Sequence, residues 1–406
     1  MDLITVKEAA EKWGVTVRRV QGLCNEGKIK GAVRLGGIWM LPAHAVLPST
    51  ARFKKTAHPM PRKSPFLDMT DLYNQAGSAE ACAAMLVNNY EAHSLFEACI
   101  AYRRGDIDYV YKQARFFLSS HSGFYAILGG GMLLALCAIW QGDVDLWHEA
   151  KKHICEAPCK TDTEREIVSL SLAIIDSSIY DNKDYPDWFI RGNFELLPAD
   201  SHPAAKIFYV TYLYMNASSL ASRQQEIDGM KGLSLMRVLP YAIEPLITQA
   251  VVDRTVIPEI YLRLSCAVVY HNAGRDDLAI PHMDKAVTLA LPDRLYGILT
   301  EFIRHFGGLL EERIALVDDI AMMTVVNLYR SYSIGWARIS SVVRNRCIAA
   351  SLNHKEHEVA KLVAYGYAPV EIAGMLCTTP EEVDRLIAQV IRIAGVQSAE
   401  EFATII

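Results

Sequence analysis

A long run without acidic or basic side chains places the first constraint on the fold. Residues 116–142, FFLSSHSGFYAILGGGMLLALCAIWQG, contain no Asp, Glu, Lys or Arg, although charged residues make up 21% of the 406-residue chain. A run of this length can cross a bilayer. Alternatively, it forms two buried helices that are broken near residues 121–123 and end at Gly142.

Three segments of the middle region repeat one pattern around a glycine. They are AYRRGDIDYVYKQARFF at Gly105, AIWQGDVDLWHEAKKHI at Gly142 and VYHNAGRDDLAIPHMDKAV at Gly274. Gly105 and Gly142 are 37 residues apart, which is close to the length of a helix-pair repeat. The pattern predicts pairs of helices that turn at these glycines, and it favours burial of residues 116–142 over membrane insertion.

The third of these segments carries the most detailed pattern. Its small, aromatic, turn and large apolar positions are Ala267, Tyr270, Gly274, Ala279, Met283, Ala286 and Pro292. This spacing resembles a tetratricopeptide repeat, and the two earlier segments resemble it more loosely. The resemblance implies a helical-repeat solenoid over residues 68–346, whose concave surface binds a peptide, a protein or a small-molecule effector.

An aromatic segment at residues 180–216 interrupts this helical pattern with several prolines. Two interpretations remain open: the segment lines a ligand pocket, or it is a long connection packed by its own rings. The glycines of ILGGGML at 129–131 lie inside an apolar run. They predict close helix packing rather than phosphate binding.

The sequence contains none of the common catalytic motifs. A P-loop, a G-x-G-x-x-G after a strand, a G-x-S-x-G and an H-E-x-x-H are all missing. The HKEHE cluster at 354–358 is interpreted as a solvated first helical turn, and Cys155, Cys159 and His153 offer too few ligands for zinc. We therefore expect no enzyme, no cofactor and no metal. The nine scattered cysteines predict a reducing, cytoplasmic environment.

Basic residues are concentrated at the N-terminal end. Residues 1–66 hold 12 Lys and Arg against 4 Asp and Glu, whereas residues 352–406 hold 4 against 8. The whole chain has a net charge of −5. A basic module on an acidic body is the asymmetry expected when one end of a protein contacts nucleic acid.

The N-terminal residues predict two helices followed by a β-hairpin. Thr5 and Glu8 form a T-x-x-E capping box before the first helix. The second helix has one apolar face, formed by Val17, Val20, Leu23 and Cys24. Two short apolar runs flank Gly36 and Gly37, which suit a tight hairpin turn.

This stretch resembles the excisionase/MerR-type winged helix-turn-helix. The residues that match its pattern are Thr5, Glu8, Ala9, Ala10, Gly14, Val15, Arg19, Val20, Gly27, Lys28, Ile29, Trp39 and Pro42. The resemblance implies that the second helix reads the major groove of double-stranded DNA while the hairpin contacts the backbone. The DNA-binding residues on this interpretation are Thr16, Arg18, Arg19, Gly22, Asn25, Lys28, Lys30 and Arg34.

Residues 48–67 form a linker rich in Pro, Ser and basic residues. Lys54 and Lys55 within it could add sequence-independent contacts to phosphates. A linker that is only solvated is the equal alternative.

Residues 352–406 resemble the LuxR-type helix-turn-helix. The resemblance is carried by L-x-x-x-E-x-E-V from Leu352, Gly366, E-I-A at 371–373, Leu376, Val383 and Gly395-Val396. It departs from the family where the recognition helix begins, because Glu381, Glu382 and Asp384 would repel phosphate. Thr379 and Glu382 predict a capping box there. We expect assembly or an auxiliary DNA contact from this segment, the latter through Arg385 and Arg392.

Together these patterns predict a mainly α protein with four parts. These are a winged helix-turn-helix with a small β-hairpin at 1–47, a linker at 48–67, a TPR-like solenoid at 68–346 and a helix-turn-helix bundle at 352–406. The expected function is a one-component transcriptional regulator that binds DNA, senses a ligand or protein partner, forms a homodimer and makes no membrane contact. The alternative is an interaction scaffold whose terminal modules dock proteins rather than DNA.

Overall fold

The computed structural model describes residues 3–13, 17–25, 29, 31–35, 38–43, 45, 64–119, 122–181, 184–222, 226–227, 230–344, 352, 354–394 and 398–402. The elements are mainly helical, as the sequence predicts. The chain divides into two compact units, Met1–Arg62 and Lys63–Ile406. We call them the N-terminal unit and the helical unit.

The N-terminal unit combines two helices with a three-stranded antiparallel sheet. Its elements are β1 (Leu3–Thr5), α1 (Val6–Trp13), α2 (Val17–Asn25), β2 (Val33–Leu35) and β3 (Ile38–Pro42). The strand order is β1-β3-β2. The pairing of Leu35 with Ile38 confirms the predicted hairpin, whereas the sequence pattern does not predict β1.

The start of α1 and the core of this unit follow the sequence pattern closely. The Thr5 N–H donates to Glu8 Oε2 over 2.7 Å and the Glu8 N–H donates to Thr5 Oγ1 over 3.2 Å, which confirms the capping box. The buried core consists of Val6, Ala9, Ala10, Val20, Leu23, Cys24, Ile29 and Leu41. Val17, the first residue of α2, lies outside this core and is 41% exposed.

The helical unit is built almost entirely of helices joined by short turns. They are α3 (Ala79–Met85), α4 (Tyr90–Arg104), α5 (Ile107–Ser119), α6 (Phe124–Gln141), α7 (Val144–Cys155), α8 (Asp162–Ser178), α9 (Asp187–Ile190), α10 (His202–Ser222), α11 (Gly232–Asp253), α12 (Val256–Asn272), α13 (Asp276–Ala290), α14 (Tyr296–Phe302), α15 (Leu309–Ala315), α16 (Asp319–Arg344), α17 (His354–Ala364), α18 (Pro369–Met375) and α19 (Pro380–Ala394). Between α10 and α11, β4 (Glu226–Ile227) pairs antiparallel with β5 (Met230–Lys231).

Each of the three predicted glycine turns lies between two packed helices. Gly105 separates α4 from α5, Gly142 separates α6 from α7, and Gly274 separates α12 from α13. Their φ angles of +88°, +67° and +70° lie in the left-handed region that favours glycine. Ala267 and Ala279 are fully buried in the third pair. The predicted helix pairs are therefore confirmed.

Helices that are far apart in the sequence close this unit. α16 packs against α6 and α7, and α14 packs against α4, whereas a solenoid joins only successive repeats. Gly335 permits the approach of α16, because a Cβ there would lie 2.2 Å from the carbonyl oxygen of Ile139. These long-range contacts depart from the predicted open solenoid, and a half-open cavity lies among the helices of this unit.

The charge-free run supplies the end of α5 and all of α6, which lies in the core. Among the described residues α6 is the one helix long and apolar enough to cross a membrane, and 72% of it is buried within the protein. Its glycines 129–131 contact three different helices. A Cβ at Gly129 would lie 2.6 Å from Leu95, and one at Gly131 would lie 2.8 Å from Ile154. These approaches confirm the prediction of close helix packing.

The C-terminal segment of the helical unit has a small core of its own. Its buried residues are Val359, Ile372, Ala373, Val383 and Leu386. α19 also packs against α16. The prediction of a solvated first turn at HKEHE is wrong for Glu356, which is only 3% exposed. The amide of Gln389 donates to its carboxylate over 2.6 Å, and this hydrogen bond offsets the cost of burying it.

Candidate functional site

A groove of about 490 Å³ crosses one face of the N-terminal unit. It lies between the start of α1, α2 and the β2–β3 hairpin, and it is lined by Thr5, Val6, Lys7, Val17, Gln21, Asn25, Arg34 and Trp39. The two cations of this lining, Lys7 and Arg34, are exposed. Cations beside amide side chains are the combination that binds phosphates and base edges.

Asn25 connects α2 to the hairpin that follows it. The indole N–H of Trp39 donates to Asn25 Oδ1 over 3.0 Å. The contact occupies the amide oxygen and orients the NH2 group of Asn25. This predicted DNA-binding residue therefore also positions the hairpin relative to α2.

Gly22 leaves a bare strip of backbone on α2. Among the described residues, a Cβ at this position would have no neighbour within 4 Å, although Val20 and Leu23 on the same helix are fully buried. Packing among these residues thus gives no reason for a glycine here. An external partner can approach the helix backbone closely at this point.

The remaining residues of the predicted DNA-binding set differ in how the structure places them. Arg18 and Arg19 belong to α2, and Arg392 belongs to α19, but their side chains lie outside the described part of the chain. The residues that lie outside the described ranges altogether are Thr16, Lys28, Lys30, Lys54 and Lys55. Asn25 and Arg34 are brought together in the groove.

The exposed face of α19 differs in charge from that of α2. The Glu382 N–H donates to Thr379 Oγ1 over 3.3 Å, which confirms Thr379 as the helix cap. The Glu382 carboxylate does not complete the predicted capping box but accepts two hydrogen bonds from Arg385, at 2.7 and 2.8 Å. The neighbouring exposed residues Glu381 and Asp384 are acidic. The Arg385 guanidinium is therefore already neutralised, which weakens it as a DNA contact.

A half-open cavity of about 90 Å³ lies inside the helical unit. Its lining residues are Tyr102, Ile139, Ser177, Ser178, Tyr180, Ile207, Phe208, Val210, Thr211, Tyr214, Tyr261, Ser265, Val268, Glu301, Phe302, Arg304, His305, Tyr332 and Trp336. One water needs roughly 10–15 Å³ of such space, so the cavity has room for several waters or a small organic molecule. Aromatic walls with a few polar groups are typical of small-molecule sites.

The aromatic segment at 180–216 supplies both structures that its sequence predicts. Tyr180 and the inner face of α10 line the cavity. Behind them, Phe189 packs edge-on against Tyr209 at 5.9 Å between ring centroids, and Tyr209 packs against Phe194 at 5.7 Å. The connection is thus packed by its own rings and holds α10 against the cavity.

A buried network of charged and polar groups borders this cavity. Arg103 donates to Asp68 Oδ2 over 2.8 Å and to the Tyr261 hydroxyl over 2.9 Å. The hydroxyls of Tyr102 and Tyr261 each donate to the Glu301 carboxylate over 2.6 Å. Burial raises the pKa of Glu301, against the opposing effect of Arg103 and the two hydroxyls. Removing one member would leave another charge buried without compensation.

A second group of cavity residues is cationic and aromatic. The Arg304 guanidinium lies 3.6 Å from the ring centroid of Trp336 and 5.0 Å from that of Tyr180. The Tyr180 hydroxyl lies 2.9 Å from His305 Nε2. Burial and then the charge of Arg304 lower the pKa of His305 from 6.5 to about 3. His305 is therefore a neutral hydrogen-bonding group near pH 7.

In the described part of the chain, one set of side chains has the residue types of a metal site. The ligand atoms of Glu244, Cys266 and His282 lie within 4.8 Å of one another. The buried Nδ1 of His282 has no hydrogen-bond partner among the described residues, whereas a metal-bound histidine almost always donates its second ring N–H. The set therefore lacks the outer contact that orients a ligating histidine.

Comparisons of the chain with protein-family models, with curated proteins and with solved structures find no match. Its function is accordingly inferred from the groove, the cavity and the exposed face of α19. The sequence does not single out the cavity residues Glu301 and Arg304 or the buried Arg103 beside them. A signal for them exists, because charged residues interrupt the apolar runs ACIAYRR and ILTEFIRHF, and a charge within such a run predicts a buried partner or a ligand.

Proposed function

We propose that this protein is a DNA-binding transcriptional regulator of the one-component type. The N-terminal unit would be a winged helix-turn-helix of the excisionase/MerR type, with α2 in the major groove of double-stranded DNA and the β2–β3 hairpin as its wing. The observation that carries this proposal is the bare strip at Gly22, next to a groove lined by Lys7 and Arg34.

Charge supports the choice of this surface over the C-terminal one. The first 66 residues carry 12 basic against 4 acidic residues, and non-specific affinity for DNA comes mainly from such an excess. On α19, by contrast, Arg385 is held by Glu382 between two exposed acids. We therefore assign DNA recognition to α2 rather than to α19.

The helical unit would act as the sensor, with TPR-like helix pairs as its framework. Its internal cavity would bind an effector, and the resulting change in packing would alter how two copies of the chain present their DNA-binding helices. The LuxR-type C-terminal segment would support homodimer formation. Its exposed large apolar residues are Tyr365, Tyr367, Val370 and Met375, and exposed apolar surface is typical of interaction sites.

Selection from a random pool of duplex DNA tests this proposal with the full chain and two charge-reversal variants. We expect the wild type to enrich one sequence and the Arg18→Glu, Arg19→Glu variant to enrich none. The matched control, Arg385→Glu with Arg392→Glu, removes as many positive charges from α19 and should enrich the wild-type sequence. Loss of enrichment in the control alone would move DNA recognition to the C-terminal segment.

Protein docking is the second candidate function, and Val17 favours it. This apolar residue is 41% exposed in the same groove as Trp39, and apolar side chains in a groove suit a protein partner. If the wild type enriches no DNA even at low salt, the scaffold interpretation replaces the first. A partner captured by the wild type should then be lost with Val17→Asp and retained with Arg18→Glu, Arg19→Glu.

A further inference from the structure

Arg304 is a cavity-lining cation without a carboxylate partner. Within the described ranges, no hydrogen bond or ion pair joins its guanidinium to another side chain. Its contacts are with the rings of Trp336 and Tyr180. A contact with an aromatic ring supplies no oxygen acceptor, so the N–H donors of this guanidinium are available to an acceptor in the cavity.

Other arginines of the helical unit are paired with carboxylates, as is usual for a guanidinium group away from bulk water. Arg103 pairs with Asp68, and Arg313 pairs with Asp284 through two hydrogen bonds of 2.7 and 2.8 Å. Arginine forks match carboxylates in this bidentate way. Arg304 has the same donors, and it faces the cavity rather than an acid of the protein.

Glu301, the acidic residue in the described lining of the cavity, does not pair with Arg304. Both oxygens of Glu301 accept hydrogen bonds from tyrosine hydroxyls, at 2.6 Å each. Each oxygen of Glu301 is thus already used as an acceptor within the protein, and neither is bonded to Arg304.

The charges around Tyr180 are also suited to an anion. Burial raises the pKa of this phenol, Arg304 and Arg344 act in the opposite direction, and the smaller effect of Glu301 adds to that of burial. Both cations thus place a positive potential at the Tyr180 side of the cavity. His305, whose ring is neutral near pH 7, adds a hydrogen-bonding group to the same side.

The remaining wall of the cavity is suited to a flat apolar body. Phe208, Tyr214, Phe302 and Tyr332 line it, and aromatic rings pack against one another edge-to-face or offset with a gain beyond their buried area. The volume of about 90 Å³ favours a ligand about the size of one ring over a long chain.

We infer that this cavity binds a small aromatic carboxylate, whose acid group lies against the open edge of Arg304 and whose ring lies among the aromatic side chains. The inference rests on the proposed function in one respect, since it names the effector class of the proposed sensor. The binding itself requires no DNA.

Calorimetric titration of the full chain in the absence of DNA tests this inference. The probes are benzoate and trans-cinnamate, their neutral amides benzamide and cinnamamide, and the aliphatic acid hexanoate. We expect both aromatic acids to bind more tightly than their amides and than hexanoate. Arg304→Gln should weaken the binding of the acids by about 10- to 100-fold, the range for a lost hydrogen bond to a charged group, and leave the amides unchanged.

Arg330→Gln is the matched control, because Arg330 is an exposed arginine of the neighbouring helix α16. It should leave all affinities unchanged. If Arg304→Gln fails to fold, the comparison of acids with amides in the wild type still decides. Equal binding of acids and amides, tighter binding of hexanoate, or no binding at millimolar concentration would each overturn the inference.

The failure of this inference and that of the proposed function remain distinguishable. Binding of aromatic acids by a chain that enriches no DNA would refute the regulator and support the cavity assignment. Sequence-specific DNA binding by a chain that ignores every aromatic acid would support the regulator and refute the cavity assignment.

Discussion

Gly22 in α2 and Gly335 in α16 both lie inside helices, where glycine is less favourable than alanine by about 1 kcal/mol, yet their surroundings are opposite. A Cβ at Gly335 would lie 2.2 Å from one backbone oxygen and 2.6 Å from the next. A Cβ at Gly22 would meet no atom of the described part of the chain within 4 Å. The first glycine is required by internal packing, and the second is not.

The two units therefore differ in whether their unusual residues lie inside the unit or on its surface. The helical unit places its unusual residues inward, where α16 closes on α6 and the cavity collects Arg304, His305 and Glu301. The N-terminal unit leaves its unusual residue on the outside, beside a groove. An exposed surface suits a macromolecular partner, whereas a half-open internal cavity suits a small ligand.

The largest effect is expected from Gly335→Ala. The methyl group would collide with the backbone of α6, which cannot move aside as a flexible side chain could, so we expect a loss of about 3 kcal/mol in the free energy of unfolding. Denaturant unfolding measures this loss. Gly374→Ala, at a helical glycine without neighbours, is the control and should not destabilise. Equal effects at both glycines would contradict the close approach of α16.

The next largest effect is expected on DNA affinity. With a DNA obtained by selection, Arg18→Glu combined with Arg19→Glu should weaken binding by at least about 100-fold, because each lost base or phosphate contact contributes about 1–3 kcal/mol. Arg385→Gln should stay within about twofold of the wild type, since its partner Glu382 is on the same helix. Fluorescence anisotropy measures both. A comparable loss of DNA affinity in the two variants would contradict the assignment of DNA recognition to α2 rather than α19.

A smaller effect concerns the stability of the helical unit at mildly acidic pH. The pKa of His305 is about 3 in the folded chain, whereas it is 6.5 for a histidine in the unfolded chain. The unfolded chain therefore takes up the proton first. The contribution of His305 is complete above pH 6.5 and is lost as the pH falls toward 3, by about 1 kcal/mol at pH 5.5. Thermal unfolding between pH 7 and 5.5 measures it. The loss should be smaller in His305→Gln than in the wild type and unchanged in His148→Gln, which alters an exposed histidine.

The smallest and most discriminating change is Gly22→Ala. A methyl group on this open strip should stabilise the N-terminal unit by up to about 1 kcal/mol through helix propensity. The same methyl group should weaken DNA binding if a partner approaches the backbone there. Melting and anisotropy on one preparation test both effects. A more stable variant with unchanged affinity would show that the strip is not part of the interface.

Much of the local structure could be predicted from the residues. The turns at Gly105 and Gly142 depend on left-handed glycines beside apolar helical runs. The Thr5–Glu8 capping box depends on two residues one turn apart. Contacts of this kind are decided within a few residues, so a pattern of the right period is enough to find them.

The failures concern residues whose environment is made by distant segments. Glu356 is buried and accepts a hydrogen bond from Gln389, which lies 33 residues further along the chain. Arg103 finds Tyr261 at a separation of 158 residues. No local pattern predicts which distant side chain will satisfy a buried charge.

The sequence by itself determined the helices, their caps, the glycine turns and the uneven charge, because each follows from short-range hydrogen bonding, periodicity or composition. Only the folded chain shows that α16 packs on α6, that a cavity lies among the helices, and that Arg304 lines it without an acidic partner among the described residues. The same holds for the space beside Gly22, which no described residue fills. These features depend on which surfaces meet after folding, and that choice is made by non-local packing.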